Sequence, residues 1–351
     1  MLLYIHIPFC DSKCSYCAFN SYVDKFHLKA AYMDALLLQL QHELKRFKVQ
    51  NKEIETLFIG GGTPSTIAPS LYLPIFELLQ PYLQNDAEIT AEANPNSATK
   101  EWLEGMYNCG VDRISFGVQS FDDAKLKLLN RAHNAKQATQ AIHDAHNIGF
   151  KNLSLDLIYG VAGDTKELLA SDLKKAFALP INHLSAYALT IEDNTPFFTN
   201  PQMADEKLEL TQWLFEQIKT QGFQQYEISN FGTYHSRHNL GYWQYKEYIG
   251  IGAGAVGKLK NRRFYPQTHI DSYIKTPLDI KTERLSDEDI RIEKIFLGLR
   301  SVVGFSYCIL TKSEQQKVEI LLKENKLIFE KNRLFNPNFL LADEIALYLT
   351  S

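Results

Sequence analysis

The sequence predicts an α/β fold: a partial parallel barrel of six strand–helix units, followed by a smaller α+β C-terminal part. Three observations carry this. Six short runs rich in β-branched and aromatic residues recur through the first half, at Leu3–Phe9, Thr56–Ile59, Glu88–Glu92, Arg113–Val118, Asn152–Ile158 and His183–Thr190. Stretches with helical spacing of apolar residues separate them. Strands alternating with helices in this way read as βα units over a parallel sheet. Finally, nearly every predicted strand runs into glycine or polar residues. In a barrel such ends converge on one face, where sites are built.

The elements follow in order. Strand one runs straight into a cysteine cluster, and the clearest helix comes next at Tyr32–Phe47, with Leu36, Leu37, Leu40, Leu44 and Phe47 on one face. Strand two ends in Gly60-Gly61-Gly62-Thr63-Pro64 before a helix at Ser70–Leu83. Strand three ends in Glu92-Ala93-Asn94-Pro95 before Lys100–Asn108, and strand four in Gly117-Val118-Gln119-Ser120 before Asp122–Leu129 and Ala135–Ile148. Strand five contains Asp156, ends in Tyr159-Gly160 and precedes a helix at Lys166–Ala178. An open doubly wound sheet accommodates the same alternation, and Gly, Asn and Pro are ordinary turn residues. Five such ends in succession favour the barrel.

After residue 222 the pattern changes, so we divide the chain at 1–222 and 223–351. Glycine and tyrosine are dense over Tyr226–Tyr265; helices are expected at Ser286–Leu299 and Lys312–Glu324, a hairpin joins Leu327–Phe329 to Arg333–Phe335, and a short helix lies within Pro337–Leu349. This end resembles a winged helix. Yet 37 Lys+Arg against 41 Asp+Glu give a net charge of −4, so no nucleic-acid partner is expected. Gly252-Ala-Gly254-Ala-Val256-Gly257 matches G-x-G-x-x-G, but basic, turn-like residues follow instead of an amphipathic helix. It reads as a close backbone approach to a ligand and not as a dinucleotide site. No run of about 18 apolar residues exists, and the N-terminus lacks the basic stretch and cleavage site of a signal peptide. A cytoplasmic location is expected, with peripheral membrane association left open.

Three of the five cysteines fall in Cys10-x3-Cys14-x2-Cys17. Thiolates suit soft metals, and three on one loop can hold three corners of a four-iron cluster, leaving one iron open. Zinc would want a fourth protein ligand, for which His6 is the nearest candidate. Cys109 and Cys308 are isolated and read as structural thiols.

The C-x3-C-x2-C spacing after the first strand of a six-fold βα pattern resembles the radical S-adenosylmethionine (SAM) superfamily, whose fold is a partial (β/α)6 TIM-type barrel. More specifically, Tyr4–Cys10, Gly60–Ser65, Glu92–Pro95, Ser115–Ser120, Leu155–Gly160 and Tyr226–Phe231 resemble the oxygen-independent coproporphyrinogen III oxidase family and its HemW haem-chaperone branch. The resemblance implies a [4Fe–4S] cluster on Cys10, Cys14 and Cys17, whose open iron chelates SAM and whose electron cleaves it to a 5′-deoxyadenosyl radical. It implies that Tyr4 and Tyr16 wall the SAM site, that Gly61, Gly62 and Thr63 bring backbone to the SAM amino group, and that Glu92 accepts from the ribose hydroxyls. Gln119, Arg131 and Asp156 line the same face, where they serve a second SAM in oxidase relatives. The resemblance also implies that Thr190, on the sixth strand, contacts adenosine through backbone. Val256 stands where relatives carry His, so contact there is expected through backbone only.

Two features point to the chaperone branch. Oxidases carry a further cysteine where this chain has Phe19, and a long N-terminal extension precedes their first strand. His238-Asn239-Leu240-Gly241-Tyr242-Trp243 matches an H-N-x-x-Y-W haem motif: a neutral imidazole ligates iron, Tyr242 and Trp243 pack on a porphyrin, and Arg237 pairs with a propionate. His235 or a tyrosine is an alternative iron ligand. The expected partners are therefore haem, haem-accepting proteins such as membrane respiratory enzymes, and an electron donor. A homodimer is left open. An oxidative decarboxylase, or a radical SAM enzyme with another substrate, is the alternative reading.

Overall fold

The computed structural model describes residues 1–351. Strands β1 (Leu2–Ile7), β2 (Ile54–Gly61), β3 (Leu83–Ala93), β4 (Arg113–Gln119), β5 (Asn152–Tyr159) and β6 (His183–Ala188) lie side by side in chain order, every neighbouring pair parallel. Helices α1 (Lys29–Arg46), α2 (Pro69–Leu79), α3 (Lys100–Asn108), α4 (Asp123–Leu128), α5 (Ala135–Ile148), α6 (Lys166–Phe177) and α7 (Leu208–Thr220) make the crossovers and the return from β6. This is the expected six-unit α/β pattern. Several boundaries move by a few residues, and two are instructive. The helix expected to reach Leu83 ends at Leu79, because Pro81 has no N–H to continue it, and Leu83 opens β3 instead. Strand β6 ends at Ala188 and leaves Thr190 in the following loop.

The second half adds β7 (Gln224–Gln225), β8 (Asn230–Gly232), α8 (Arg237–Trp243), β9 (Tyr248–Ile251), β10 (Gly257–Leu259), β11 (Arg262–Pro266), α9 (Ile270–Lys275) and β12 (Ile280–Arg284). All six strands extend the first sheet, giving the order β12-β11-β10-β9-β1-β2-β3-β4-β5-β6-β8-β7. β1 therefore pairs with β2 and β9, and β6 with β5 and β8. The expected division at 222/223 thus falls within one continuous sheet and core, which includes Ile249, Phe264 and Tyr273. A separate 12-residue core begins only at Ile295. It joins α10 (Asp287–Leu299), α11 (Lys312–Lys323) and α12 (Ala342–Thr350) to the antiparallel strands β13 (Phe305–Ser306), β14 (Ile328–Glu330) and β15 (Arg333–Phe335).

Alternation along the parallel strands explains the main core. Leu3, Ile5 and Ile7 on β1, with Leu57 and Ile59 on β2, are fully buried beneath Tyr32, Leu36 and Leu40 of α1. Burying each such side chain contributes roughly 1.5–3 kcal/mol. Helix ends are defined by side-chain caps: Thr99 for α3, Thr165 for α6, and a capping box of Asn134 with Gln137 for α5.

One buried ion pair fixes the short α4. Lys125 Nζ donates to both oxygens of Asp164 at 2.7 and 2.9 Å, with side chains only 4% and 3% exposed. This matters for the site, because the residues just after α4 brace the cysteine loop. Lys125→Met would strand the Asp164 carboxylate, and breaking one partner of a buried pair costs about 3–5 kcal/mol. We expect a matching drop in the urea-unfolding free energy, recovered in large part by the double variant Lys125→Met/Asp164→Leu. An unchanged midpoint for the single variant would show the pair to be dispensable.

Candidate cofactor and ligand site

The cysteine loop is held from both sides. Cys10 N–H donates to Tyr22 O, and Tyr22 N–H to Pro8 O, closing the loop's neck. Lys13 Nζ crosses to Phe19 O at 2.6 Å and Ser21 Oγ at 2.8 Å. The segment after α4 braces the far side: Ser15 N–H donates to Leu129 O, and Asn130 Nδ2 to Lys13 O. Arg131 ties the loop to the strand ends. Its Nη1 donates to Cys14 Sγ (3.2 Å) and Tyr16 OH (3.4 Å), and its Nη2 to Asn94 Oδ1 and Gly117 O, both at 2.6 Å. Asn94 in turn donates to Thr63 Oγ1, whose hydroxyl donates to Cys10 Sγ at 3.4 Å.

All three cysteines are free thiols lining one cavity of about 600 Å³. The strand ends supply its remaining walls. Tyr16, Gly61, Gly62, Thr63, Glu92, Gln119, Arg131, Asp156 and Thr190 all line it; all of these but Tyr16 lie outside the cysteine loop and reach it only through folding. Gly61 and Gly62 are required: a Cβ on Gly61, at φ +112°, would lie 2.4 Å from His6 Nδ1, and one on Gly62 would lie 2.8 Å from Ile7 O. Gln119 adopts φ 68° where β4 breaks register with β5. Glu92 accepts from Gly61 N–H at 3.0 Å. Burial, and then the Asp156 charge, push its carboxyl up to about 7, while burial pushes Asp156 up to about 6.

His6 is no metal ligand here. Its Nδ1 meets Tyr4 OH at 3.0 Å and its Nε2 meets Asn20 O at 2.8 Å, so both nitrogens are engaged. No three His, Cys, Asp or Glu side chains converge as a single-ion site.

A second chamber of about 790 Å³ adjoins the first, and Ala18, Phe19, Gly61 and Glu92 line both. Two residues expected around SAM fall here instead. Tyr4 shares one face of β1 with His6, by the two-residue period of a strand, and stacks on Phe58 with ring centroids 6.2 Å apart. Val256 lines this chamber too. The surrounding glycine motif packs its backbone on β1 and α1: Gly252 N–H donates to Gln39, Ala253 N–H to Tyr32 OH, and Asn20 Nδ2 to Ala253 O.

The H-N-x-x-Y-W segment forms the short α8, and only one of its faces reaches the chamber. His238, Asn239 and Tyr242 form that face; His238 and Tyr242, four residues apart, meet edge to face at 4.8 Å. Arg237 and Trp243 lie off it, so neither lines the chamber; Arg237 turns to Asp86 at the surface. His235 is likewise outside, stacked on Tyr226. His238 is 1% exposed; its Nδ1 meets Thr56 Oγ1 at 2.7 Å, and its Nε2 has no partner. Burial, and then the Arg113 charge, lower its pKa to about 3, so the imidazole is neutral at physiological pH. Sequence reasoning passed over Asn94, the hinge of the Thr63–Arg131 network, although it stands inside the Glu92–Pro95 motif. It also passed over Phe58, Tyr248 and Lys258, which carry no motif.

These observations define a class. Residues 4–176 match the family model described as the Radical SAM superfamily. The fold is that of the Escherichia coli coproporphyrinogen III oxidase HemN, described as a radical SAM enzyme, with TM-score 0.83 at 21% identity over 99% of this chain and 89% of that one. The heme chaperone HemW of Haemophilus influenzae is 39% identical over 78% of this chain and 73% of its own, and that of Lactococcus lactis is 32% identical over 99% and 92%. The chain belongs to the HemW family of radical SAM-type haem chaperones.

The Glu92 environment sets a pH dependence. Its folded pKa of about 7 lies above the ordinary 4.5, so folding favours the protonated acid. The associated stability is complete below pH 4.5 and lost as pH rises through 7. Glu92→Gln, which keeps an acceptor for Gly61 N–H, should therefore unfold at higher urea than the parent at pH 8 and at the same urea at pH 4. Equal midpoints at both pH values would show that Glu92 is not held in its protonated form.

Proposed function

We propose that the chain carries haem in the His238 chamber, holds a [4Fe–4S] cluster and SAM in the adjoining strand-end cavity, and delivers haem to acceptor proteins. The observation that carries this reading is His238: a neutral, buried imidazole with one nitrogen fixed by Thr56 and the other unpartnered, in an aromatic-lined chamber beside three clustered cysteines. An unsatisfied buried polar atom is disfavoured, and a metal centre satisfies it. Tyr4, Phe58 and Tyr242 supply flat apolar surface for a macrocycle.

In the first cavity the donor set suits a polynuclear cluster better than one ion. Cys10, Cys14 and Cys17 are its ligands in this reading. Thr63 and Arg131 donate to two of the sulfurs and favour their thiolate forms. A cluster held by these cysteines would supply an electron to the sulfonium of SAM. The chain's own part is positioning: the backbone of Gly61–Thr63 takes the SAM amino group, Glu92 the ribose, and Tyr16, Gln119, Arg131, Asp156 and Thr190 the remaining wall. No helix is long and apolar enough to cross a membrane. In this proposal the protein works in the reducing cytoplasm, where thiolates survive. It receives electrons from a donor and meets acceptors such as respiratory enzymes at the membrane surface, either as monomer or homodimer. Phe19, in the wall shared by the two chambers, supports carriage over oxidation of coproporphyrinogen.

Anaerobic reconstitution tests the reading. Cys14→Ala should lose the brown iron–sulfur chromophore. At pH 8, above the Glu92 pKa of about 7, Glu92→Ala should weaken SAM about ten- to a hundredfold, since hydrogen bonds to charged groups are worth roughly 1.5–3 kcal/mol. Haem should bind one to one in the micromolar range, about −8 kcal/mol, as befits releasable cargo, and His238→Ala should shift the Soret band and weaken binding. Coproporphyrinogen III should remain unconverted. Parent protein that fails to bind haem, or that turns over coproporphyrinogen, overturns the proposal.

A further inference from the structure

Three cations line the His238 chamber: Lys246, Lys258 and Arg263. Two are already neutralised. Lys246 Nζ donates to Glu55 at 2.5 Å, and Arg263 pairs with Glu293 and Glu283. Lys258 has no carboxylate partner, although it is 4% exposed. It sits on β10 opposite Tyr248 of β9, and its Nζ donates to Tyr245 O at 3.2 Å while lying 3.7 Å from the Tyr245 ring centroid. An ammonium carries three N–H donors; the protein accepts from one.

This is an expensive arrangement. Charged side chains are almost never fully buried unless paired. Burial lowers the Lys258 pKa, which the charges of Glu247 and Glu293 offset in part. Tyr245 shapes the place for it, adopting φ 62° and donating its hydroxyl to Glu293 at 2.5 Å. A lysine kept here without a direct ion-pair partner is suited to a ligand's negative charge. The same chamber holds the unpartnered imidazole of His238 and flat aromatic walls. The occupant that satisfies all three features has a metal centre, an apolar plane and an anionic arm.

We propose that Lys258 is the anion-recognition residue of the chamber, pairing with a carboxylate on the edge of the bound macrocycle. This rests on the haem reading above, for which the carboxylate is a propionate, and it replaces Arg237, which lies outside the chamber. Lys258 is then a specificity residue: it distinguishes a carboxylate-bearing porphyrin from its neutral ester.

The experiment compares four probes on the full-length protein: haem, haem dimethyl ester, metal-free protoporphyrin IX and its dimethyl ester. Parent protein should bind each free acid about ten- to a hundredfold more tightly than its ester, the range of a charge-assisted contact. Lys258→Met should lose that discrimination, binding acid and ester alike at the parent's ester affinity, and Lys258→Arg should restore most of it. Replacing a buried unpaired ammonium by an apolar chain of similar length should keep the fold, seen as an unfolding temperature no lower than the parent's. If Lys258→Met still prefers the acids as the parent does, the assignment is overturned while haem carriage stands. If haem fails to bind but protoporphyrin binds with Lys258-dependent preference for the acid, the haem reading falls and the Lys258 assignment stands. Failure of all four probes on the parent overturns both.

Discussion

The guanidinium of Arg131 is the contact on which the site's geometry depends. A charge taken out of water is costly unless paired and hydrogen-bonded. Here the two terminal nitrogens, Nη1 and Nη2, donate to a cysteine sulfur, a tyrosine hydroxyl, an asparagine and a main-chain carbonyl, while Nε is left without a partner. Those four acceptors come from the cysteine loop, the end of β3 and the middle of β4. One side chain thus holds a loop with little regular structure against the parallel sheet. The short α4 places it, and the buried Lys125–Asp164 pair keeps α4 in position.

The second constraint is the wall between the chambers. Gly61 sits against His6 so closely that no side chain fits, and Glu92 anchors the backbone of Gly61 from the other side. The wall is therefore thin: one glycine, one alanine, one carboxyl and the exposed ring of Phe19. Alternation along β1 and β2 puts Tyr4, His6 and Phe58 on the second chamber's side. The glycine-rich end of β2 thus sets the two chambers side by side without merging them.

The first half of the fold was legible because its signals are local. Strand and helix periodicities report burial within a single element, and glycine or polar residues at strand ends gather wherever parallel strands point the same way. For the same reason nearly every strand-end residue expected around the cysteines lines one cavity. The residues that fall outside the cavity expected for them, Tyr4, Val256, Arg237 and Trp243, share one cause. Each was placed by adjacency in a motif, whereas facing is set by the phase of a strand or helix. On α8 a step of one residue turns the side chain by about 100°, which separates Arg237 from His238.

The sequence by itself determined the α/β alternation, the thiol cluster after β1, the glycine and carboxylate strand ends and the His238 motif, because each is written in a few consecutive residues. Only the tertiary structure decided that β9–β12 extend the sheet beyond β1 and so build a second chamber against the first. That pairing joins Leu2 to Tyr248, from opposite halves of the chain, through backbone hydrogen bonds that any sequence can make, so no local pattern announces it. The same assembly buries Lys258 and leaves it without a carboxylate. Whether a charge is paired is a property of neighbours brought together by folding, and no single stretch of chain records it.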